Sequence, residues 1–103
     1  MKILRPGHRY ELESFEPDPD ALGQILQFIE KMPTETGEFK TVCNGTTNEE
    51  VLRVLIDRLQ SLNKKLPSRQ TSIAITKCEE ALMWLNNRTQ ERKARGVEGT
   101  PQL

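Results

Sequence analysis

The residues able to do chemistry gather towards the end of the stretch from Thr71 to Arg95, TSIAITKCEEALMWLNNRTQERKAR. Arg88 and Arg92 stand four residues apart, with Thr89 between them and Asn86 and Asn87 just before. On a helix that spacing is one turn, so the two guanidinium groups lie side by side. Arginine grips phosphate oxygens through two parallel N–H bonds. Asn and Thr side chains hydrogen-bond sugar hydroxyls and base edges. Arg69 and Thr71 lie at the other end of the stretch, where the free N–H groups of a helix N-terminus also favour anions. Trp84, the only tryptophan, precedes Arg88 by one turn and can stack on a base or anchor an interface. These residue types describe binding of an anionic, nucleotide-like ligand. A purely structural role competes with that reading, because basic side chains near a helix C-terminus complement its dipole.

Catalysis has less to stand on. Glu49 and Glu50 fall in the first turn of a predicted helix, where the helix dipole explains them. Glu79 and Glu80 point to different sides of another. The chain has no glycine-rich phosphate loop, no nucleophile elbow and no HExxH motif. His8 is the single histidine, and Cys43 and Cys78 form no CxxC pair, so neither a metal site nor a cofactor is expected. The reading is therefore of a protein that is not an enzyme. No signal peptide or transmembrane run is visible, which points to a cytoplasmic chain with reduced thiols and no membrane partner.

At 103 residues the chain is long enough for one domain, 1–103. Its apolar fraction is 35% and its aromatic fraction 5%, so a monomer would have a thin core and oligomerisation is expected. The net charge is zero, which argues against recruiting a nucleic-acid polymer. Charge is nevertheless uneven, at −3 over residues 1–46 and +4 over residues 47–95.

Along the chain, Met1 to His8 reads as a short lead broken at Pro6-Gly7. Arg9 to Glu16 alternates and predicts a strand. Gln24 to Lys31 predicts a second strand, against a weaker helical pattern through Leu22, Ile25, Leu26 and Ile29. A turn around Gly37 leads to a third strand over Glu38 to Cys43. These three make an antiparallel sheet over 1–46. Thr47 and Glu50 sit at capping-box spacing, as do Thr46 and Glu49. The helix that follows runs to about Lys65, with Leu52, Leu55, Leu59, Leu62 and Leu66 as its seam. Pro67 breaks it, and Ser68 is the expected N-cap of the second helix. That helix should lay Ile75, Cys78, Leu82 and Leu85 against the seam, while Ile73, Lys77, Glu80, Trp84 and Arg88 form a second face. Gly96 ends it, and 96–103 is a tail. The fold class is α+β: a small N-terminal antiparallel sheet of about three strands, then an antiparallel helical hairpin over 47–95, in an oligomer.

The segment TTNEEVLRVLIDRLQSLNKKLPSRQTSIAITKCEEALMWLNNRTQERKARGVEGT resembles the phage Thoeris anti-defence sponge proteins, of the first type described. These share a helical-hairpin domain with phage anti-CBASS sponges. The segments HRYELESFE and QILQFIEK are also similar to that family, so the resemblance covers nearly the whole chain. Its most specific string is AITKxEEALMWLNxRTxxR. The resemblance implies a dimer that assembles into a homohexamer, no catalysis, and sequestration of a cyclic ADP-ribose isomer made by immune TIR-domain enzymes. It also implies, for some members, a separate pocket for cyclic oligonucleotides formed on hexamer assembly. Arg88 of LNNRT is the contact carried over by motif position. Thr71 stands where the family often has Asn, which shortens one polar contact. Cys78 stands where Leu or Ile is expected and remains core-sized.

Both lines converge on a nucleotide-derived ligand, and the resemblance implies a sponge that holds a cyclic nucleotide immune messenger in the infected bacterial cell and leaves it unchanged. Arg88 with Arg92 would hold the diphosphate, and Asn87 with Thr71 the ribose. Trp84, Phe28 or Tyr10 would stack on the base. Arg69 and Arg9 complete the candidate ligand contacts. Three alternatives differ in what they predict. A nucleic-acid-binding module requires steep salt dependence. A helical adaptor requires a partner helix and no small ligand, and a messenger hydrolase requires a changed product.

Overall fold

The computed structural model describes residues 1–21 and 23–96. Five strands precede two helices: β1 Lys2–Arg5, β2 Arg9–Leu12, β3 Gln24–Gln27, β4 Glu30–Pro33, β5 Phe39–Cys43, α1 Asn48–Lys65 and α2 Arg69–Ala94. The chain divides into two compact units, Met1–Thr47 and Asn48–Leu103.

In the first unit, β1, β2 and β3 form an antiparallel sheet in that order, and β4 pairs with β5 as a separate antiparallel ribbon. The expected sheet of about three strands followed by a helical hairpin is present, with different members. The lead 1–8 is not a lead but contains β1. Pro6-Gly7 is the turn joining it to β2: Gly7 has φ +76°, and the His8 N–H donates to the Arg5 carbonyl at 3.0 Å. Pro then Gly at the two central positions is the type II signature. β2 stops at Leu12 rather than Glu16, and Phe15 beyond it is 100% exposed.

The run Gln24 to Lys31 is extended but is not one strand. It changes partners at Phe28 and Ile29. The Phe28 N–H donates to the His8 carbonyl at 2.7 Å, and the Ile29 N–H to the Thr46 carbonyl at 2.9 Å. Thr46 returns a bond from its N–H to the Gln27 carbonyl at 2.9 Å. This crossing of backbones requires Gly45, because a Cβ there would press on the Gln27 carbonyl oxygen and lie 2.6 Å from the Phe28 carbonyl carbon. Tyr10 and Phe28 meet edge to face, with ring centroids 6.0 Å apart. The bend at Gly37 is where the sequence puts it, with φ +84°.

In the second unit, α1 starts one residue after Thr47, so Thr47 occupies the N-cap position and Glu50 the third helical position of the expected capping box. Glu49 and Glu50 at its start and Lys64 and Lys65 at its end both favour the dipole. Its half-buried residues are Glu49 and Val51 in the first turn, then Leu52, Ile56, Leu59 and Asn63. The predicted seam is therefore half right. Leu55 and Leu62 are 43% and 41% exposed, because a straight helix turns them away from the Leu52–Ile56–Leu59 line, and Leu66 lies past the end of α1 and is exposed further. Asn63 ties off the link between the helices. Its side-chain Oδ1 accepts from the Ser68 N–H at 3.0 Å, and its side-chain Nδ2 donates to the Ser72 hydroxyl at 3.1 Å.

Ser68 caps α2 as expected, accepting from the Thr71 N–H at 3.0 Å. The helix begins at Arg69, the residue after that cap. Its inner line is Ala74, Ile75, Cys78, Leu82 and Leu85, with Ile75 the one buried apolar residue among those described. Gly96, at φ +71°, accepts the left-handed exit, and its N–H donates to the Lys93 carbonyl. The predicted tail from residue 97 onward lies outside the described residues.

Candidate functional site

The C-terminal half of α2 offers different chemistry on two sides. On one flank, Trp84 is 62% exposed and Arg88 is exposed one turn later. Lys77 and Glu80 pair at 3.9 Å on the same flank, and Ile73 extends its apolar part. An indole face next to a solvent-facing guanidinium can take an aromatic ring and an anionic group of one ligand together. Arg92, one turn further, is only 7% exposed, so Arg88 is the arginine of the pair presented to solvent.

On another side, α1 and α2 enclose an open groove of about 760 Å³. Asn87 lines it, together with Asn86, Gln90, Gln60, Asp57 and Arg53 among others. Asn87 and Arg88 thus serve different surfaces, since successive helical residues point about 100° apart.

The remaining predicted contacts are scattered. Thr71 is half-buried in the cap, with its hydroxyl oxygen 2.8 Å from that of Ser68. Arg69 is exposed at the start of α2. Seventeen residues of helix separate Thr71 from Arg88, about 25 Å of axis, so one hairpin cannot close both on one compact nucleotide. Tyr10 and Phe28 are half-buried against each other, which leaves Trp84 as the ring presented for stacking on the helices.

Arg9 lies in the first unit, opposite Gln27 on β3. It borders a hollow of about 480 Å³ with Arg5, Glu30, Cys43 and Val42. Here lies a pair that sequence reading missed. The Glu30 carboxylate, only 5% exposed, accepts two bonds from Arg5, at 2.6 Å from Nε and 2.5 Å from a terminal nitrogen. The forked hydrogen bond from Arg5, aided by its charge, holds the Glu30 carboxyl below the usual carboxylate range. The same bond pushes the Arg5 guanidinium up. Twenty-five residues separate the partners, and nothing local in the sequence marks the pairing. The groove, by contrast, had a signal: Arg53, Asp57 and Gln60 follow at steps of four and three, as do Glu79, Met83, Asn86 and Gln90.

Among the described residues no three His, Cys, Asp or Glu side chains are grouped to hold a metal, and both cysteines are free thiols. No described helix is long and apolar enough to cross a membrane.

Residues 26–90 match the model of the family described as Acb2/Tad1, hairpin domain. That span takes in β4, β5, α1 and most of α2, including Trp84 and Arg88. The chain is also similar to "Thoeris anti-defense 1" of Bacillus phage SBSphiJ7, with 55% identity over 58 residues, covering 55% of this chain and 41% of that protein. The chain thus aligns with less than half the length of that relative. The family match spans well over half of this chain and takes in both helices that carry the flank and the groove: the protein belongs to the Acb2/Tad1 hairpin-domain family.

Proposed function

We propose that this protein is a phage anti-defence sponge, which binds a cyclic ADP-ribose isomer tightly and releases it chemically unchanged. The observation that carries the reading is the exposed Trp84–Arg88 flank lying inside the span matched by the hairpin-domain family. The similarity to a protein named for Thoeris anti-defence supports the biological setting, the cytoplasm of an infected bacterium. Arg88 supplies charge-assisted bonds to the diphosphate, and the Trp84 indole supplies a stacking face for adenine.

The site is completed by a second copy. Arg69 and Thr71 lie about 25 Å from Arg88 along one helix, so they reach the same ligand only from another chain whose α2 runs antiparallel. The sparse core supports the same conclusion: Ile73, Trp84, Leu55 and Leu62 remain exposed in a single chain. A dimer, and a hexamer built from it, covers them.

Sequestration and hydrolysis are separated by loading the protein with a cyclic ADP-ribose isomer, removing free ligand, heating, and weighing what is released. The intact mass is expected. A ring-opened product makes the protein an enzyme, and an empty protein after saturation excludes the messenger.

A further inference from the structure

The groove between α1 and α2 has a composition that does not suit a phosphorylated messenger. Asp57 enters it from α1 and Glu79 from α2. Its one cation, Arg53, is already 3.4 Å from the Glu50 carboxylate, so the lining is net negative. An anion entering there meets like charge from both helices. The remainder of the lining is amide and apolar. Gln60, Asn86 and Gln90 present carboxamides, and among the described residues none of the three makes a side-chain hydrogen bond to the protein. Asn86 is half-buried, and its amide still reaches solvent at the groove, open to a ligand. Ile56, Leu82 and Met83 supply the apolar surface.

We propose that this groove is a second binding site, for an uncharged purine nucleoside. A carboxamide presents a donor and an acceptor side by side, which is the pattern that reads the N6 and N7 edge of adenine. Asn86 and Gln90, one turn apart on α2, are placed for that edge. The Met83 thioether is a soft, adaptable contact for an aromatic ring. Asp57 and Glu79 accept hydrogen bonds from the ribose hydroxyls, a role in which their charge helps rather than hinders. The proposal does not depend on the messenger reading, because neither Trp84 nor Arg88 lines the groove.

The test is an NMR titration of the ¹⁵N-labelled full chain with adenosine and, separately, with AMP. Adenosine is expected to shift the side-chain amide signals of Asn86 and Gln90 and to leave the Trp84 indole signal in place. AMP is expected to bind about tenfold more weakly or worse, from like-charge repulsion. Asn86→Ala and Gln90→Ala, both at polar positions away from the buried Ile75, should each weaken adenosine about tenfold. Asp57→Asn combined with Glu79→Gln should bring AMP level with adenosine. No shift by adenosine at millimolar concentration, shifts confined to the Trp84 flank, or AMP binding as well as adenosine to the unaltered chain would each overturn the assignment.

Discussion

The two compact units hold themselves together by opposite means. In Met1–Thr47 the strands are four or five residues long and few side chains are withdrawn from water. That unit relies on backbone bonds that cross at Phe28 and Thr46, and on one buried carboxylate gripped by Arg5. In Asn48–Leu103 two long helices share an apolar line centred on Ile75, with Ser68 and Asn63 fixing the turn. The contrast shows that a unit with short strands can be specified by a few long-range polar contacts, whereas a hairpin is specified by periodicity. The first should fail on losing a bond or a charge, the second on losing volume.

Substitutions can break or sharpen that contrast. Ile75→Ala should have the largest effect on stability, about 2–5 kcal/mol, because it empties the one buried apolar position of the hairpin. Urea unfolding followed by helical circular dichroism measures it, and a loss much below that range would mean the core lies elsewhere. Gly45→Ala should cost about 1–3 kcal/mol in the first unit, since the added methyl displaces the Gln27–Phe28 backbone. Its signature is faster amide exchange at Phe28, Ile29 and Thr46 with the α2 amides unaffected.

Acid should separate the units more gently. The Glu30 carboxyl is held low by Arg5 in the folded state, so its ionised form contributes stability above the ordinary carboxylate range. That contribution is lost as pH falls through the lowered folded value. Signals of the first unit should weaken in that window, and Glu30→Gln should remove this acid step while lowering stability at neutral pH. The smallest effect belongs to Leu62→Ala, below about 0.5 kcal/mol in a dilute sample, because Leu62 is exposed on a single hairpin. A larger loss that grows with protein concentration would report a second copy covering that face.

The hairpin was legible in the sequence for a physical reason. Capping residues, a single proline and helical spacing are all local signals, and Thr47, Ser68, Pro67 and Gly96 stand where those signals put them. The leucine seam was only half legible, because a run of leucines fits a 3.5-residue repeat as readily as the true line through Ile56. The sheet was harder. β1 is four residues long and its turn signal, Pro6-Gly7, also reads as a chain break. The partner change at Phe28 depends on Thr46, eighteen residues away. The Trp84–Arg88 flank could be found from spacing alone. Spacing did not reveal that Asn87 faces another surface, that Arg92 is buried, or that Thr71 is a helix length away.

Arg88 is the residue on which the proposed capture depends most, and calorimetric titration with cyclic ADP-ribose isomers tests that role directly. The unaltered chain should bind at least one isomer tightly. Arg88→Ala should lose about 2–5 kcal/mol of that affinity, roughly thirty- to several-thousand-fold, with little change in melting temperature. Arg88→Lys should recover little, because a point charge does not reproduce the planar fork. Binding that survives Arg88→Ala unchanged would remove this residue from the site, and an unaltered chain that binds none of the isomers would contradict the sponge function itself.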